Sequence, residues 1–280
     1  MTNNESVKNP LLYFLNKIEE LQYNYIMLLF FSKAKEIFLD IFFPPLCLSC
    51  RRFLLENERK KSVCQKCAAS VILNTSLFCP VCHSRLPVSS QDGPVSSQSD
   101  ESENFPRPHC HKDCGFFLAS AASFSVPAVR NLIHLLKFGK IPFASNFLSE
   151  IMISYFQSLN LELKNYSVIP LPLSKKRMKE RGFNQSELLA EKFCFAFNLP
   201  LLKNLIRSSD RKPQSETKNR AEREQNIKNC FAVKNSSILE RKNIILIDDV
   251  FTTGSTAREA VKVLKKAGVK KIIFLTPAKT

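Results

Sequence analysis

The chain has 280 residues, 44% of them hydrophobic, which is enough to bury a full-sized core and excludes a disordered tail. Its formal charge is +16, and residues 119–280 alone hold 28 Lys and Arg against 13 Asp and Glu, a surplus of +15. A surplus concentrated in one half favours polyanionic partners, either nucleic acid or a phosphorylated small molecule, with a plain solubility charge as the bland alternative.

The first ten residues, MTNNESVKNP, show no basic region followed by an apolar core and a small-residue cleavage site, so no secretory signal is expected. The longest apolar runs, such as IMLLFF at residues 26–31, are too short to span a bilayer, which predicts no transmembrane segment and a cytoplasmic location. Residues 11–43 interleave Leu, Phe, Ile and Tyr with charges, as one or two amphipathic helices would. The segment is slightly acidic and lacks the basic face of a membrane binder, so residues 1–43 are read as a helical extension.

Eight of the ten cysteines follow between residues 47 and 114, as CLSC (Cys47, Cys50), CQKC (Cys64, Cys67), CPVC (Cys79, Cys82) and CHKDC (Cys110, Cys114). Two intervening residues let both sulfurs of a pair turn toward one ion, and two such knuckles complete a tetrahedral thiolate site for zinc. Disulfides are the weaker reading where thiols stay reduced. The simplest pairing is sequential, with Cys47, Cys50, Cys64 and Cys67 on one ion and Cys79, Cys82, Cys110 and Cys114 on another; a cross-braced pairing is the alternative. His83, His109 and His111 compete as ligands at the second site. Between its halves PVSSQ occurs twice in a Ser/Pro-rich stretch, read as a loop over residues 84–108. Closed all-Cys sites leave no open coordination position, so the expected zinc is structural, within a module spanning residues 44–118. Cys194 and Cys230 sit among apolar residues and are expected in the core.

From residue 119 to 280 the pattern is one of alternating helices and strands. FSVPAVRNLIHLLKFGK carries a helical stripe at Val129, Leu132, Ile133 and Leu136 that stops at Gly139, and residues 143–159 predict another amphipathic helix. YSVIPLPLS reads as a short strand ended by prolines, followed by a basic loop and a helix. NIILIDDVFTTGSTAREAVKVLKKAG follows the same grammar: Ile244, Ile245, Leu246 and Ile247 suit a strand covered on both faces, Thr256 and Glu259 have capping-box spacing, Ala260, Val261, Leu264 and Ala267 mark a helix face, and Gly268 caps its C-terminus. A last strand, VKKIIFLTP, completes a βαβ unit. The predicted fold is an open, mostly parallel α/β sheet preceded by a small zinc-ribbon-like cysteine module.

Ligands of such sheets bind outside the carboxyl ends of the strands, where residues 248–256 fall. The loop offers hydroxyls from Thr252, Thr253, Ser255 and Thr256, close approach at Gly254 and a helix N-terminus, all suited to a phosphate monoester. Asp248 and Asp249 would repel that phosphate, but they suit paired sugar hydroxyls or a divalent ion. A sugar phosphate satisfies both halves.

IILIDDVFTTGST resembles the phosphoribosyl-pyrophosphate (PRPP) motif of type I phosphoribosyltransferases. Paired cysteines after FFPP, LKFGK with Lys137, IPLPLS, RGFNQ at residues 181–185 and RKPQ followed by RxxN narrow the resemblance to the ComF competence-protein family from about residue 38 onward. The resemblance implies that Asp248 and Asp249 hold ribose hydroxyls, that Thr252, Thr253, Gly254, Ser255 and Thr256 hold the 5′-phosphate, and that Mg²⁺ accompanies PRPP. Arg181 takes a site role, with Lys175, Lys176 and Arg177 as pyrophosphate contacts. Arg211, Lys212, Gln214 and Arg223 fall in a stretch resembling the mobile loop that closes over PRPP in such enzymes. The expected activity is pentosyl transfer from PRPP, linked to DNA uptake. Two alternatives stand beside it: a non-catalytic single-stranded-DNA-binding or regulatory protein that senses PRPP or nucleotides, and a scaffold meeting a DNA-uptake helicase.

Overall fold

A computed structural model describes residues 40, 42, 44–86, 88–89, 93–94, 114–207 and 230–280. The chain divides into two compact units, Met1–Leu46 and Cys47–Thr280. The predicted helical extension lies outside the described residues except at positions 40 and 42, as does most of the predicted loop 84–108.

In the second unit, two short helices, α1 (Glu56–Arg59) and α2 (Gln65–Ala69), precede strands β1 (Leu77–Phe78) and β2 (Arg85–Leu86) and a small hairpin, β3 (Val88–Ser89) with β4 (Gly93–Pro94). The α/β body follows: β5 (Phe117–Ser123), α3 (Pro127–Lys137), α4 (Ala144–Ser158), β6 (Tyr166–Pro170), α5 (Lys175–Arg181), α6 (Gln185–Phe197), β7 (Leu205–Arg207), β8 (Phe231–Val233), β9 (Asn243–Ile247), α7 (Ser255–Lys266) and β10 (Lys271–Lys279). The main sheet has the order β2-β1-β5-β10-β9-β6. Its four strands β5, β10, β9 and β6 are parallel, while β1 and β2 add an antiparallel ribbon at the β5 edge.

Alternation along β9 divides the core. Ile245 and Ile247 pack toward α3, α4 and α6, with Leu132, Leu148 and Phe193, whereas Ile244 and Leu246 pack toward α7 with Ala257, Val261 and Leu264. A strand covered on both faces must be apolar at every position, which is why IILI is unbroken. Cys47, Leu54, Val63 and Cys64 belong to the first of these clusters.

Two boundaries differ from the sequence pattern. The expected capping box at Thr256 and Glu259 is not used: α7 starts at Ser255, with Gly254 as its N-cap at φ +73°. The left-handed turn falls two residues before Thr256, and the Ser255 and Thr256 hydroxyls stay half-exposed on the first turn. Strand β10 also runs two residues beyond FLTP, through Pro277. Proline is tolerated there because β9 pairs only up to Leu275, and the register with β5 engages Thr276 and Ala278 on either side.

Candidate functional site

The carboxyl ends of β6, β9 and β10 converge on the two acids. The chain leaving β9 stays pinned to β10, with the Asp248 N–H donating to Leu275 O (3.1 Å) and the Phe251 N–H to Ala278 O (2.9 Å). Asp249 is buried and its Oδ1 lies 2.8 Å from Lys137 Nζ, at the last residue of α3. The half-buried Asp248 receives two donors on Oδ1: the Ser186 hydroxyl at 2.9 Å and the Asp249 N–H at 2.9 Å. Burial, then the neighbouring Asp249 carboxylate, push the Asp248 carboxyl up to about 7, opposed by Lys137 and the two hydrogen bonds.

RGFNQ supplies the frame. The Arg181 guanidinium donates to Gln185 Oε1 (2.9 Å) and rests over the Phe138 ring at 5.7 Å, while Gln185 Nε2 donates to Leu136 O (3.4 Å), beside Lys137. Asn184 caps α6 by accepting from the Ser186 N–H (3.1 Å) and donates to Leu171 O (3.1 Å), which fixes the helix that carries Ser186 against the end of β6. Burial lowers the Arg181 pKa, against the opposing pull of Asp249 and Asp248, which places this cation within the field of the acid pair.

The loop after the acids is built for close approach. A Cβ on Gly254 would stand 2.6 Å from Phe251 Cζ and 3.0 Å from Arg258 Nη1, so only glycine leaves this turn unfilled. Thr253 and Ser255 share a hydroxyl contact at 3.0 Å, Arg258 Nη2 donates to Ser255 Oγ at 3.4 Å, and Thr252 and Thr253 are exposed. The first-turn N–H groups of α7 have no partner within the helix and form its positive end.

Of the residues expected from sequence, Asp248, Asp249, Arg181 and the 252–256 loop therefore meet at one sheet end. Lys175, Lys176 and Arg177 are exposed on α5, and among the described residues none pairs with either acid; Lys176 faces Glu180 at 3.9 Å. Arg211, Lys212, Gln214 and Arg223 lie outside the described residues. Lys137 and Ser186 are additions. LKFGK marked Lys137 only as part of a pattern, and Ser186 was signalled by nothing except adjacency to RGFNQ.

The cysteine knuckles form on the same unit. The Cys47, Cys50, Cys64 and Cys67 sulfurs all lie within 4.8 Å of one another, with Cys50 and Cys64 at 3.6 Å. Tetrahedral thiolate zinc, with bonds of about 2.3 Å, needs sulfurs about 3.8 Å apart, so the cluster fits the ion. The Cys64 N–H donates to Cys47 Sγ at 3.4 Å, which ties the second cysteine pair to the first. Cys79 and Cys82 sit at the tip between β1 and β2, and Cys79 approaches Cys114 to 3.8 Å just before β5. Cys82 Sγ lies 3.0 Å from Ser84 Oγ, and Cys110 is outside the described residues. Cys194 and Cys230 are buried, as expected.

Residues 180–280 match the Phosphoribosyl transferase domain and residues 38–100 the Double zinc ribbon domain. A distant likeness to the glutamine PRPP amidotransferase of B. subtilis has 17% identity and a TM-score of 0.29, over 53% of this chain and 27% of that one. Competence protein F of Haemophilus influenzae is 35% identical over 38% of this chain and 47% of its own length, so the match spans less than half of that relative. The DNA utilization protein YhgH of Escherichia coli K12 is 25% identical over 80% of this chain and 92% of its own. Competence protein ComFC of Streptococcus pneumoniae is 33% identical over 164 residues, 58% of this chain and 71% of that protein. The chain belongs to the ComFC family of competence proteins, built as a phosphoribosyltransferase domain with an N-terminal zinc-binding cysteine module.

Proposed function

We propose that this protein binds PRPP in the pocket formed by the acid pair and the 252–256 loop, and that it serves DNA uptake as a phosphoribosyltransferase-like component in the cytoplasm. The observation that carries this reading is the juxtaposition of a cation-paired Asp249, a hydroxyl-supported Asp248 and a glycine-opened helix N-terminus at one sheet end. The carboxylates accept from the ribose hydroxyls while the loop amides and hydroxyls take the 5′-phosphate. Lys137 neutralises Asp249 and adds positive charge beside the anionic ligand. Arg181, held by Gln185, keeps positive potential over the side of the pocket where pyrophosphate would leave. Mg²⁺, when bound with PRPP, supplies neutralisation of charge on the diphosphate. Catalysis then consists of attack on C1′ of the sugar with loss of pyrophosphate, and the chain's own residues contribute orientation and fixed charge.

Relatives named for competence and DNA utilization support the uptake role, with single-stranded DNA and an uptake helicase as the partners this reading names. The test is a thermal shift: PRPP with Mg²⁺ raises Tm, and the double variant Asp248→Asn, Asp249→Asn abolishes the shift. No shift in the wild-type chain would overturn the reading. Release of pyrophosphate during a screen of nucleobases identifies the acceptor and separates transfer from sensing.

A further inference from the structure

The opposite end of the sheet carries a second concentration of charge. Parallel strands in register begin together, so the segments entering β6, β9 and β10 share one pole with the end of α7. That pole gathers Lys164, Arg241, Lys242, Lys265, Lys266 and Lys270, all exposed except the half-buried Lys242. Backbone bonds hold the segments together: the Arg241 N–H donates to Gly268 O (2.9 Å), the Lys270 N–H to Lys242 O (2.9 Å) and the Asn243 N–H to Asn165 O (3.3 Å). The acids in these segments are Glu162 and Glu240.

Some other cations among the described residues do have acidic partners, as in Lys137 with Asp249, Arg52 with Glu58, Lys61 with Glu150 and Lys203 with Glu187. Among the described residues none of the six pole residues is in an ion pair; Lys265 instead donates to the Lys270 carbonyl at 2.7 Å. Two of them, Lys265 and Lys266, complement the negative end of the α7 dipole, but the other four sit outside any helix and have no such account. A cluster of like charges with no ion pair among the described residues suits a polyanion. Neighbouring strands about 4.8 Å apart set Lys242 and Lys270 side by side at the starts of β9 and β10, with Lys164 one residue outside that row at the start of β6. Ile238 is the one large apolar side chain exposed in the adjoining described segments, which argues against insertion into a lipid surface.

We propose that this pole binds the phosphate backbone of single-stranded nucleic acid, at a site separate from the sugar-phosphate pocket. Contacts of this kind read charge and carry no sequence preference. The proposal rests on the DNA-handling part of the functional reading and is independent of the pocket.

The experiment uses the full chain and a fluorescein-labelled single-stranded DNA of about 30 nucleotides, followed by anisotropy across a salt series. The variant carries Lys164→Ala, Lys242→Ala, Lys266→Ala and Lys270→Ala, exposed or half-buried surface changes expected to leave ligand-free Tm within a few degrees of wild type. At about 0.1 M salt the variant should bind at least about tenfold more weakly, and the slope of log K against log salt should fall by about 0.7 for each phosphate contact removed. Its thermal shift with PRPP and Mg²⁺ should match that of wild type. Unchanged affinity and slope in the variant would overturn the proposal, as would capture by phosphatidylserine vesicles that the oligonucleotide fails to compete away. Oligonucleotide binding without a PRPP shift refutes the pocket alone, and a PRPP shift without oligonucleotide binding refutes the pole alone.

Discussion

Adjacent carboxylates shielded from water are unfavourable, and Asp248 and Asp249 tolerate each other by dividing their partners. Asp249 takes the Lys137 ammonium at 2.8 Å, and Asp248 takes two neutral donors. Burial and the Asp249 charge still push Asp248 from 3.8 up to about 7. A folded value above the unfolded one means that the native state holds its proton more tightly. The resulting stability is fully present below about pH 4 and is lost as pH rises through about 7. Asp248→Asn removes this dependence, so the ligand-free Tm of the variant should gain on wild type between about pH 4 and about pH 7 and then level off. Scanning fluorimetry across that range reads the difference; a flat difference would mean that Asp248 ionises as an ordinary surface carboxylate does. The acid pair was legible in the sequence because IILIDD joins a buried strand to two charges. Its partners were not, because Lys137 closes an ordinary amphipathic helix and Ser186 lies on another, and only the packing of α3 and α6 on the same sheet face brings them to the acids.

At the scale of elements, the loop between β9 and α7 depends on one glycine, Gly254, for its shape, and the exit from α7 toward β10 depends on another, Gly268. Gly254 has φ +73° and no room for a Cβ, whereas Gly268, at φ +84°, would place a Cβ 3.2 Å from the flexible Glu240 Cγ. Both substitutions to Ala force a left-handed residue, at about 1–2 kcal/mol each. Only Gly254→Ala must also displace the Phe251 ring, which packs against Phe274 at 5.6 Å, so its total cost should reach about 2–4 kcal/mol. Gly254→Ala should also lose the PRPP-induced rise in Tm, while Gly268→Ala should keep it; equal ligand shifts in the two variants would remove the loop from the binding site. Strand β9 and helix α7 stand where periodicity placed them, because an unbroken apolar run and a 3.6-residue stripe leave little choice. Strand β5 had no such signal. Its FLASAAS sequence is mostly Ala and Ser, poor in β propensity, and these small residues are buried because helices and neighbouring strands close on both faces. The antiparallel β1–β2 ribbon is likewise set by its contacts: two residues per strand give no period to read.

For the molecule as a unit, the zinc cluster and the sheet share one core. Cys47, Leu54, Val63 and Cys64 pack in the cluster that contains Leu77, Leu132, Leu136 and Ile247, and Asn131 of α3 donates to Ser49 O within the first knuckle at 3.2 Å. A thiolate site of this kind is worth about 10–16 kcal/mol of apparent binding free energy in isolated zinc-finger peptides, and its residues have little to hold them folded without the ion. Removing the metal should therefore weaken the α/β body as well as the knuckle. Each kcal/mol lowers Tm by about 2–4 °C in a chain of this size, so a loss of about 5 kcal/mol through the shared core predicts a fall of about 10–20 °C on chelation or in Cys64→Ser. The transition should remain single, because Cys47 and Cys64 pack in the same core cluster as Leu132 and Leu136 of α3. Calorimetry before and after chelation, with zinc content measured on the same sample, decides the matter. Two separate transitions, with the upper one at the untreated Tm, would show that the knuckle unfolds alone and that the sheet does not depend on it. A single lowered transition would mean that the cysteines, remote from the acid pair, set the stability of the scaffold on which Lys137 meets Asp249.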